Sequence, residues 1–160
     1  MEDLDHHFMG LALEEAAAAA AEREVPVGCV IVRAGEVIGR GRNHREAWQD
    51  PTSHAEVVAI RDAAQNISNW RLTETTLYVT LEPCLMCMGA IILARVERLV
   101  YGPTDPKGGA AGTLYDVSSD SRLNHMVEVR SGVRGEEATQ QLKAFFRELR
   151  ALKKATGRPQ

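Results

Sequence analysis

Three side chains that bind metals well stand at two separate places in the chain, and they constrain any fold that the sequence can adopt. One imidazole lies in His54-Ala55-Glu56, and two thiols lie in Pro83-Cys84-Leu85-Met86-Cys87. Imidazole and thiolate are good zinc ligands, and catalytic zinc sites usually keep three protein ligands and one open position. If these side chains share one metal ion, the fold must bring two distant segments into contact.

Both halves of this motif are predicted to lie where a helix begins. Residues 50–53 (Asp-Pro-Thr-Ser) are typical of a turn followed by a helix cap, and Pro83 is well placed in a first helical turn. Residues two apart do not share a helix face, but the side chains of a first turn can converge beyond the helix end. The two cysteines are three apart and do share a face, and the helix dipole favours a thiolate there.

Other interpretations of these residues remain open at this level. A Cys-x-x-Cys pair also occurs in redox sites, and Cys29 or His125 could close the metal site as a fourth, structural ligand. Cys29 lies in an apolar run, where cysteine usually serves as a small buried residue. Ser53 and Glu56 also fit a capping box, in which Glu56 only satisfies a backbone amide. The combination of both elements favours a catalytic site in which Glu56 carries the protons of a metal-activated water.

The pattern of apolar residues predicts alternating strands and helices. We expect helices over 4–22, 54–65, 82–94 and about 135–155, and strands over 27–32, 37–38, 76–81, 97–101 and 126–130. A hairpin followed by helix–strand–helix–strand predicts an α/β fold with helices covering a mixed sheet. No repeat or linker divides the chain, so residues 1–160 are expected to form one domain.

Charge is distributed unevenly along the chain. The net charge is −3, but residues 143–158 carry six basic side chains against one acidic one. This basic end favours an anionic partner, although a solvated helix face is the simpler explanation. Phe145-Phe146-Arg147 opens the stretch, and an aromatic ring beside cations suits RNA binding. At least one of the two rings is expected to pack in the core instead.

The cysteine content and the N-terminal segment indicate a reducing compartment. Three cysteines, two of them in Cys-x-x-Cys, do not resemble the disulfide framework of a secreted domain. Glu14 and Glu15 interrupt the Ala-rich N-terminal stretch, which is too polar and too short for a signal peptide or a membrane span. We therefore expect a cytoplasmic protein that does not associate with a membrane.

Longer segments resemble bacterial tRNA-specific adenosine deaminases, which convert the wobble adenosine of an anticodon to inosine. The matching segments are Glu24-Val25-Pro26-Val27-Gly28, Asp50-Pro51-Thr52-Ser53-His54-Ala55-Glu56, Thr76 to Cys84 with Met86-Cys87, and Gly109-Ala110-Ala111-Gly112. The His-x-Glu and Pro-Cys-x-x-Cys elements are shared more widely among zinc-dependent nucleobase deaminases. The chain departs from the family at Cys29 and Ser53, where alanine is common, and in the residues that follow Asn43.

The resemblance implies a three-layer α/β/α cytidine-deaminase-like fold with a mixed five-stranded sheet, one Zn²⁺ per subunit, and a homodimer that binds tRNA anticodon loops. It implies His54, Cys84 and Cys87 as zinc ligands and Glu56 as the catalytic residue. The substrate contacts that it implies are Asn43, Val27 and Ala55 at the flipped nucleoside, and Asp105, Lys107 and Asn124 at neighbouring nucleotides. To these we add Phe145 and Arg147 from the basic end. A turn residue at Asn43 and a solvated loop at Asp105 and Lys107 are the structural alternatives.

Two other functions share these features. A deaminase of a free base or nucleoside, such as cytosine, cytidine or guanine, would use the same metal ligands, Glu56 and fold. A zinc-stabilised RNA-binding module would keep the metal without catalysis, but the intact set of ligands and Glu56 argues against it. The basic end and the longer matching segments favour RNA as the substrate.

Overall fold

The computed structural model describes residues 2–157, with side chains from residue 4 onward, and there contains four helices and five strands. In chain order they are α1 (Glu2–Ala21), β1 (Gly28–Arg33), β2 (Glu36–Arg42), α2 (Ala55–Ile67), β3 (Thr75–Val79), α3 (Leu85–Leu93), β4 (Arg98–Tyr101), β5 (Glu128–Arg130) and α4 (Gly135–Thr156). This order confirms the predicted succession of elements. Arg158 of the basic end lies outside the described residues.

The strands form one mixed sheet in the order β2-β1-β3-β4-β5. β1 runs antiparallel to both β2 and β3, whereas β3, β4 and β5 run parallel to one another. A parallel pair needs a crossover connection, and α3 provides the one between β3 and β4. The predicted mixed five-stranded sheet is therefore confirmed.

Helices cover both faces of the sheet and give it three layers. Successive side chains of β1 point to opposite faces, so Cys29 and Ile31 join the core under α2 and α3, while Val30 and Val32 join the core under α1. α4 packs against α1 on that second face. The three-layer α/β/α fold is thus the one that the resemblance implies. None of the described helices is long and apolar enough to cross a membrane.

α2 lies unusually close to the sheet because β2 carries glycine where the helix crosses it. A Cβ atom at Gly41 would lie 2.3 Å from the carbonyl oxygen of Ala55, and one at Gly39 would lie 2.6 Å from the Cβ of Ala63. Both distances are far below van der Waals contact, so only glycine permits this approach. The first turn of α2 is thereby fixed against the end of β2.

The register of the strands gathers several segments at one edge of the sheet. Gly28 pairs with Arg42 and Cys29 pairs with Val79, so the start of β1 lies beside the ends of β2 and β3. β4 runs parallel to β3 and ends at the same edge. Open α/β sheets bind their ligands at the carboxyl ends of parallel strands. This edge is therefore where a site is expected.

α3 begins later than the proline in front of it suggests. The helix begins at Leu85, with Cys84 as its N-cap residue, and not at Glu82 or Pro83. Pro83 is held in the preceding turn, because its carbonyl oxygen accepts the N–H of Ala110 at 2.9 Å. The first residues of the expected helix thus belong to the connection between the sheet and the helix.

A buried carboxylate ties α1 to the strands beneath it. Asp5 is 1% exposed and accepts two hydrogen bonds from Arg98 at 2.8 Å each, one from the Tyr78 hydroxyl at 2.8 Å, and one from Arg130. The hydrogen bonds from Arg98 hold the pKa of Asp5 well below its usual range. Removing this charge would leave the two arginines close together without the buried carboxylate that they share.

We expect Asp5→Asn to lower the free energy of unfolding by about 3 kcal/mol near neutral pH, because it breaks a buried ion pair on one side only. Since folding lowers the pKa of Asp5, its contribution is complete above the unfolded-state pKa of about 3.9 and declines as the pH falls below it. Urea unfolding at about pH 7 and about pH 3.5 measures both effects.

The matched control is Asp120→Asn, which breaks an ion pair with the 87% exposed side chain of Arg122. That variant should lose less than about 1 kcal/mol. Equal losses in the two variants would contradict the role assigned to the buried pair.

Candidate active site

The starts of α2 and α3 bring the three predicted ligand side chains together. His54 is the N-cap residue of α2, Cys84 is the N-cap residue of α3, and Cys87 lies in the first turn of α3. The Nδ1 atom of His54 lies 3.6 Å from Cys84 Sγ and 3.5 Å from Cys87 Sγ. All three donor atoms lie within 4.8 Å of one another. The sequence singled out the same three residues from their types and spacing.

The spacing of these donor atoms fits a tetrahedral zinc ion. Zinc–sulfur bonds of about 2.3 Å and zinc–nitrogen bonds of about 2.1 Å at tetrahedral angles place nitrogen and sulfur about 3.6 Å apart. The two observed separations are 3.6 and 3.5 Å. No fourth His, Cys, Asp or Glu of the described chain joins the group. Three ligands leave one position for water or substrate, as in catalytic zinc sites.

The two candidates for a fourth ligand lie elsewhere. Cys29 is fully buried in β1, and burial raises the pKa of its thiol well above the usual value. The Nε2 atom of His125 lies 2.6 Å from the carbonyl oxygen of Val96. A closed structural site built with either residue is not what this geometry offers.

Glu56 is buried beside the three ligands and does not take part in a capping box. It is 4% exposed and lines the same pocket as His54 and Cys84. Ser53 donates its hydroxyl to Asp50 Oδ2 at 2.7 Å, and among the described residues no side chain caps the start of α2. Burial raises the pKa of Glu56. The free energies of its protonated and ionised forms therefore differ less near neutral pH than those of an exposed glutamate. A group that both takes and gives a proton needs this property.

The two thiols differ in their tendency to ionise. A hydrogen bond from Cys87, together with one from His54, lowers the pKa of Cys84 to about 4. The hydrogen bond to Cys84, together with burial, raises the pKa of Cys87. The positive end of the α3 dipole also favours a thiolate at Cys84. Metal binding releases thiol protons, so the affinity of this site for metal should rise with pH.

A pocket opens above the ligands at the edge of the sheet described above. Its lining residues are Val25, Val27, Asn43, Arg45, His54, Ala55, Glu56, Leu81, Glu82, Cys84 and Asp105. Four of the predicted substrate contacts, Asn43, Val27, Ala55 and Asp105, are therefore brought together with Glu56 and two of the ligands. The sequence analysis missed Arg45, which lies two residues from Asn43.

The amide of Asn43 shapes the wall of this pocket. The side chain is 7% exposed; its Nδ2 donates to the Val25 carbonyl oxygen at 3.3 Å, and its Oδ1 accepts the Arg45 N–H at 3.0 Å. A carboxamide has a second N–H and a second lone pair, which these bonds leave available for a ligand. The turn role and the binding role of Asn43 are thus compatible.

Two buried glutamates that the sequence analysis did not single out hold the loops of the pocket. Glu24 is 1% exposed and accepts the N–H groups of Glu46 at 2.9 Å and Ala47 at 2.8 Å. Glu82 is 2% exposed and accepts hydrogen bonds from the loop at residues 103–113. Both glutamates stand next to apolar residues and one or two positions before a proline. This placement was the sequence signal that could have indicated a buried acid at each position.

A second, basic depression lies between the 103–113 loop and α4. Its lining residues are Lys107, Thr139, Leu142, Lys143, Phe146, Arg147 and Arg150. Lys107 and Arg147 are therefore brought together, as expected of residues that contact one partner. Phe145 lies elsewhere, in a depression shared with the end of α1, whereas Phe146 is 40% exposed in the basic one. Asn124 is exposed and lines neither the pocket nor the basic depression.

Comparisons with known proteins agree with this geometry. A profile described as the cytidine and deoxycytidylate deaminase zinc-binding region matches residues 2–103. The tRNA-specific adenosine deaminase of Bacillus subtilis is 50% identical over 151 residues, which is 94% of each chain. The chain belongs to the cytidine and deoxycytidylate deaminase family. The tRNA-specific adenosine deaminase of Haemophilus influenzae is 48% identical over 153 residues, which is 95% of this chain and 88% of that relative.

Solved structures of other deaminases share the fold of this family member. One comes from a study of A-to-I editing by tRNA:A34 deaminases at the wobble position of transfer RNA. Its TM-score is 0.82 at 45% sequence identity. The matched region covers 85% of the present chain and 99% of the chain in the solved structure. Guanine deaminase from Bacillus subtilis has a TM-score of 0.61 at 37% identity and covers 67% of this chain and 69% of its own. The predicted deaminase fold is confirmed, and so is zinc as the metal of the family.

We expect Cys87→Ala to lose its bound zinc, because Cys87 is one of the three donors. Cys29→Ala should keep one zinc ion per chain, because Cys29 lies outside the ligand group. The zinc content of both purified variants, measured by atomic emission after dialysis, checks this. Loss of zinc in the Cys29 variant would instead indicate a closed site with four ligands.

Proposed function

We propose that this deaminase hydrolyses adenosine to inosine at the wobble position of tRNA anticodons. The observation that carries the proposal is an open three-ligand metal site with a buried carboxylate, set in a pocket whose loop wall also borders a basic depression. The metal site and Glu56 account for deamination, and the basic depression accounts for an RNA substrate. Relatives named tRNA-specific adenosine deaminase, similar over nearly the whole chain, support both parts.

The chemistry divides between the metal site and Glu56. When bound, zinc lowers the pKa of a coordinated water to about 7 and thereby supplies a nucleophile near neutral pH. The Glu56 carboxylate would carry two protons in turn: the first passes from the attacking water to the ring nitrogen N1, and the second passes from the new C6 hydroxyl group to the departing amine. As the C6–N6 bond breaks, ammonia leaves and a C6–oxygen bond remains. Burial of Glu56 keeps this proton away from bulk water.

The base is oriented by groups that line the pocket. Ala55 is the first residue of α2, and the first N–H groups of a helix have no partner inside the helix, so they are available to the base edge. Asn43 offers its second N–H and lone pair to the nucleoside, and Val27 provides an apolar surface for the ring. Each of these residues lines the pocket beside Glu56.

Contacts with the rest of the RNA come from the loop at residues 103–113 and from α4. A base must leave its stack to reach the pocket, which takes least energy in a single-stranded loop. Asp105 lines the pocket, and its side chain accepts the N–H of Lys107 at 2.9 Å. This bond links the pocket to the basic depression, which Lys107 lines. Lys107 and Arg147 attract the phosphates, and Phe146 supplies a ring for stacking. Phe145 and Asn124 stay predictions, since neither residue lines the pocket or the basic depression.

We further propose that two copies of the chain associate through α3, in line with the homodimer that the resemblance implies. The helix is apolar on every side, yet Leu85, Met86 and Leu93 are exposed, the last by 69%. Helices of this kind are normally buried all round, and exposed apolar patches mark interaction sites. Gly89 has open space where a Cβ would lie, so a second helix can approach closely.

The compartment and the extent of the domain follow from the same proposal. We place the protein in the cytoplasm, where its tRNA substrate is found and where Cys84 and Cys87 stay reduced. One sheet and two core clusters extend through the described residues, which supports one deaminase domain over residues 1–160.

We expect the purified protein to convert adenosine to inosine in an anticodon stem-loop that carries adenosine at the wobble position, and to leave free guanine and cytidine unchanged. Mass spectrometry of each product checks this. Guanine is the most informative alternative, because a guanine deaminase shares much of the fold. Deamination of guanine or cytidine with an unchanged stem-loop would overturn the tRNA assignment.

The matched control for this assay is Glu56→Gln, which keeps the size of the side chain but cannot carry the proton. It should retain zinc and stem-loop affinity while turnover falls about 10³-fold, within the range that general acid–base catalysis contributes. A rate close to that of the wild type would contradict the role of Glu56.

We expect Leu93→Glu to be monomeric at concentrations at which the wild type is dimeric, because a dimer would bury an unpaired charge. Light scattering coupled to size exclusion measures the mass. The control is Leu4→Glu: Leu4 is 56% exposed on α1, which covers the opposite face of the sheet. A monomeric wild type, or a dimeric Leu93 variant, would show that α3 is not the interface.

A further inference from the structure

We propose that Glu82 is a positioning residue, which orders the substrate loop (residues 103–113) before the substrate binds. The substrate named in this inference rests on the proposed function, but the ordering of the loop does not. Glu82 stands two residues before the ligand Cys84 and directly before Pro83. Its role would be to fix the distance between the RNA-contacting loop and the metal-binding turn.

Donors from the substrate loop satisfy the hydrogen-bonding capacity of the Glu82 carboxylate. Its Oε1 accepts the N–H of Asp105 at 2.9 Å and the hydroxyl of Thr113, and its Oε2 accepts the N–H groups of Ala111 at 3.1 Å and Thr113 at 3.2 Å. A carboxylate has about four acceptor positions, so these four bonds use its capacity. All four donors are uncharged. The Glu82 side chain therefore holds the backbone of the substrate loop and does not form an ion pair with a cation.

Burial makes this arrangement necessary for both partners. Glu82 is 2% exposed, and a buried carboxylate is stable only when its oxygens are hydrogen-bonded. The loop has no helix or strand of its own, apart from one isolated bridge between Ala111 and Asp116, and the N–H groups of Asp105, Ala111 and Thr113 take the carboxylate as their acceptor. Each side thus satisfies the other. Gly109 allows the close fit, since a Cβ there would lie 2.4 Å from the carboxylate.

Backbone bonds fasten the same loop to the metal-binding turn on both sides of the carboxylate. The N–H of Glu82 donates to the Pro103 carbonyl oxygen at 3.1 Å, and the N–H of Ala110 donates to the Pro83 carbonyl oxygen at 2.9 Å. With the side-chain bonds, they make the loop an extension of the segment that leads to Cys84. The loop in turn supplies Asp105 to the pocket and Lys107 to the basic depression.

Loss of this order should be seen mainly in substrate binding. Glu82→Gln keeps the volume of the side chain but turns an NH₂ group toward N–H donors, so part of the loop loses its acceptor. The RNA must then order the loop as it binds, which weakens binding without altering the metal site or Glu56. We expect KM for the anticodon stem-loop to rise about tenfold, kcat to fall less than about threefold, and zinc content to stay at the wild-type level.

Hydrogen exchange distinguishes this role from general destabilisation. In Glu82→Gln the amides of Asp105, Ala111 and Thr113 should exchange faster, while those of the core strands keep their protection. Gly109→Ala tests the same contact from the loop side, and it should reproduce the KM and exchange effects even if the Glu82 variant fails to fold. The matched control is Asp116→Asn, which makes the same change from acid to amide in the following turn. The Asp116 carboxylate accepts hydrogen bonds from the N–H and the hydroxyl of Ser118. Its KM should stay within about twofold of the wild type.

Two results would overturn the proposal. Unchanged loop protection together with unchanged KM in Glu82→Gln and Gly109→Ala would show that Glu82 does not order the loop. Loss of zinc with a parallel fall in kcat would show that Glu82 supports the metal ligands instead. A wild-type protein that leaves the stem-loop unchanged would refute the proposed function, while the exchange measurement still decides the role of Glu82.

Discussion

The whole site depends on two helices that begin side by side at one edge of the sheet. Their N-cap residues, His54 and Cys84, are two of the three proposed metal ligands, and their donor atoms lie within 4.8 Å of one another and of that of Cys87, close enough to share one ion. Neither helix can therefore slide along the sheet. The direct contact of Gly41 with Ala55 fixes α2, and the strand register fixes the segment that leads into α3. The sheet and its glycines thus set a separation that the chemistry requires.

This use of helix starts works against the stability of the helices. Ser, Thr, Asp and Asn are the usual N-cap residues, and each contributes about 1 kcal/mol, but the two positions here hold histidine and cysteine without a side-chain cap. The chain compensates nearby, where Asp50 accepts hydrogen bonds from Thr52 and Ser53 and stiffens the turn before α2. Metal binding adds stability of its own. Departures from local preference of this kind are typical of functional sites.

The sequence predicted those parts of the fold and site that rest on local patterns. The order of strands and helices follows from periodicity, and the ligand set follows from residue types whose chemistry is restrictive. The position of Glu82 ahead of Pro83 was a local signal, but its partners were not predictable, because its donors lie 23 to 31 positions away in a loop without a pattern of its own. The different positions of Phe145 and Phe146 were not predictable either, since they depend on how α4 packs against α1 and the loop.

The division between helix starts and loops also explains how one family can act on different bases. The ligands and Glu56 stand at the two helix starts, whereas Asn43 and Asp105 stand on loops that Glu24 and Glu82 hold from beneath. Because these buried acids bind backbone N–H groups, with the Thr113 hydroxyl as the one side-chain donor described, they constrain the course of each loop but not its other side chains. Loop residues can therefore change to suit another substrate while the metal site remains the same. A guanine deaminase that shares much of this fold at 37% identity is consistent with that division.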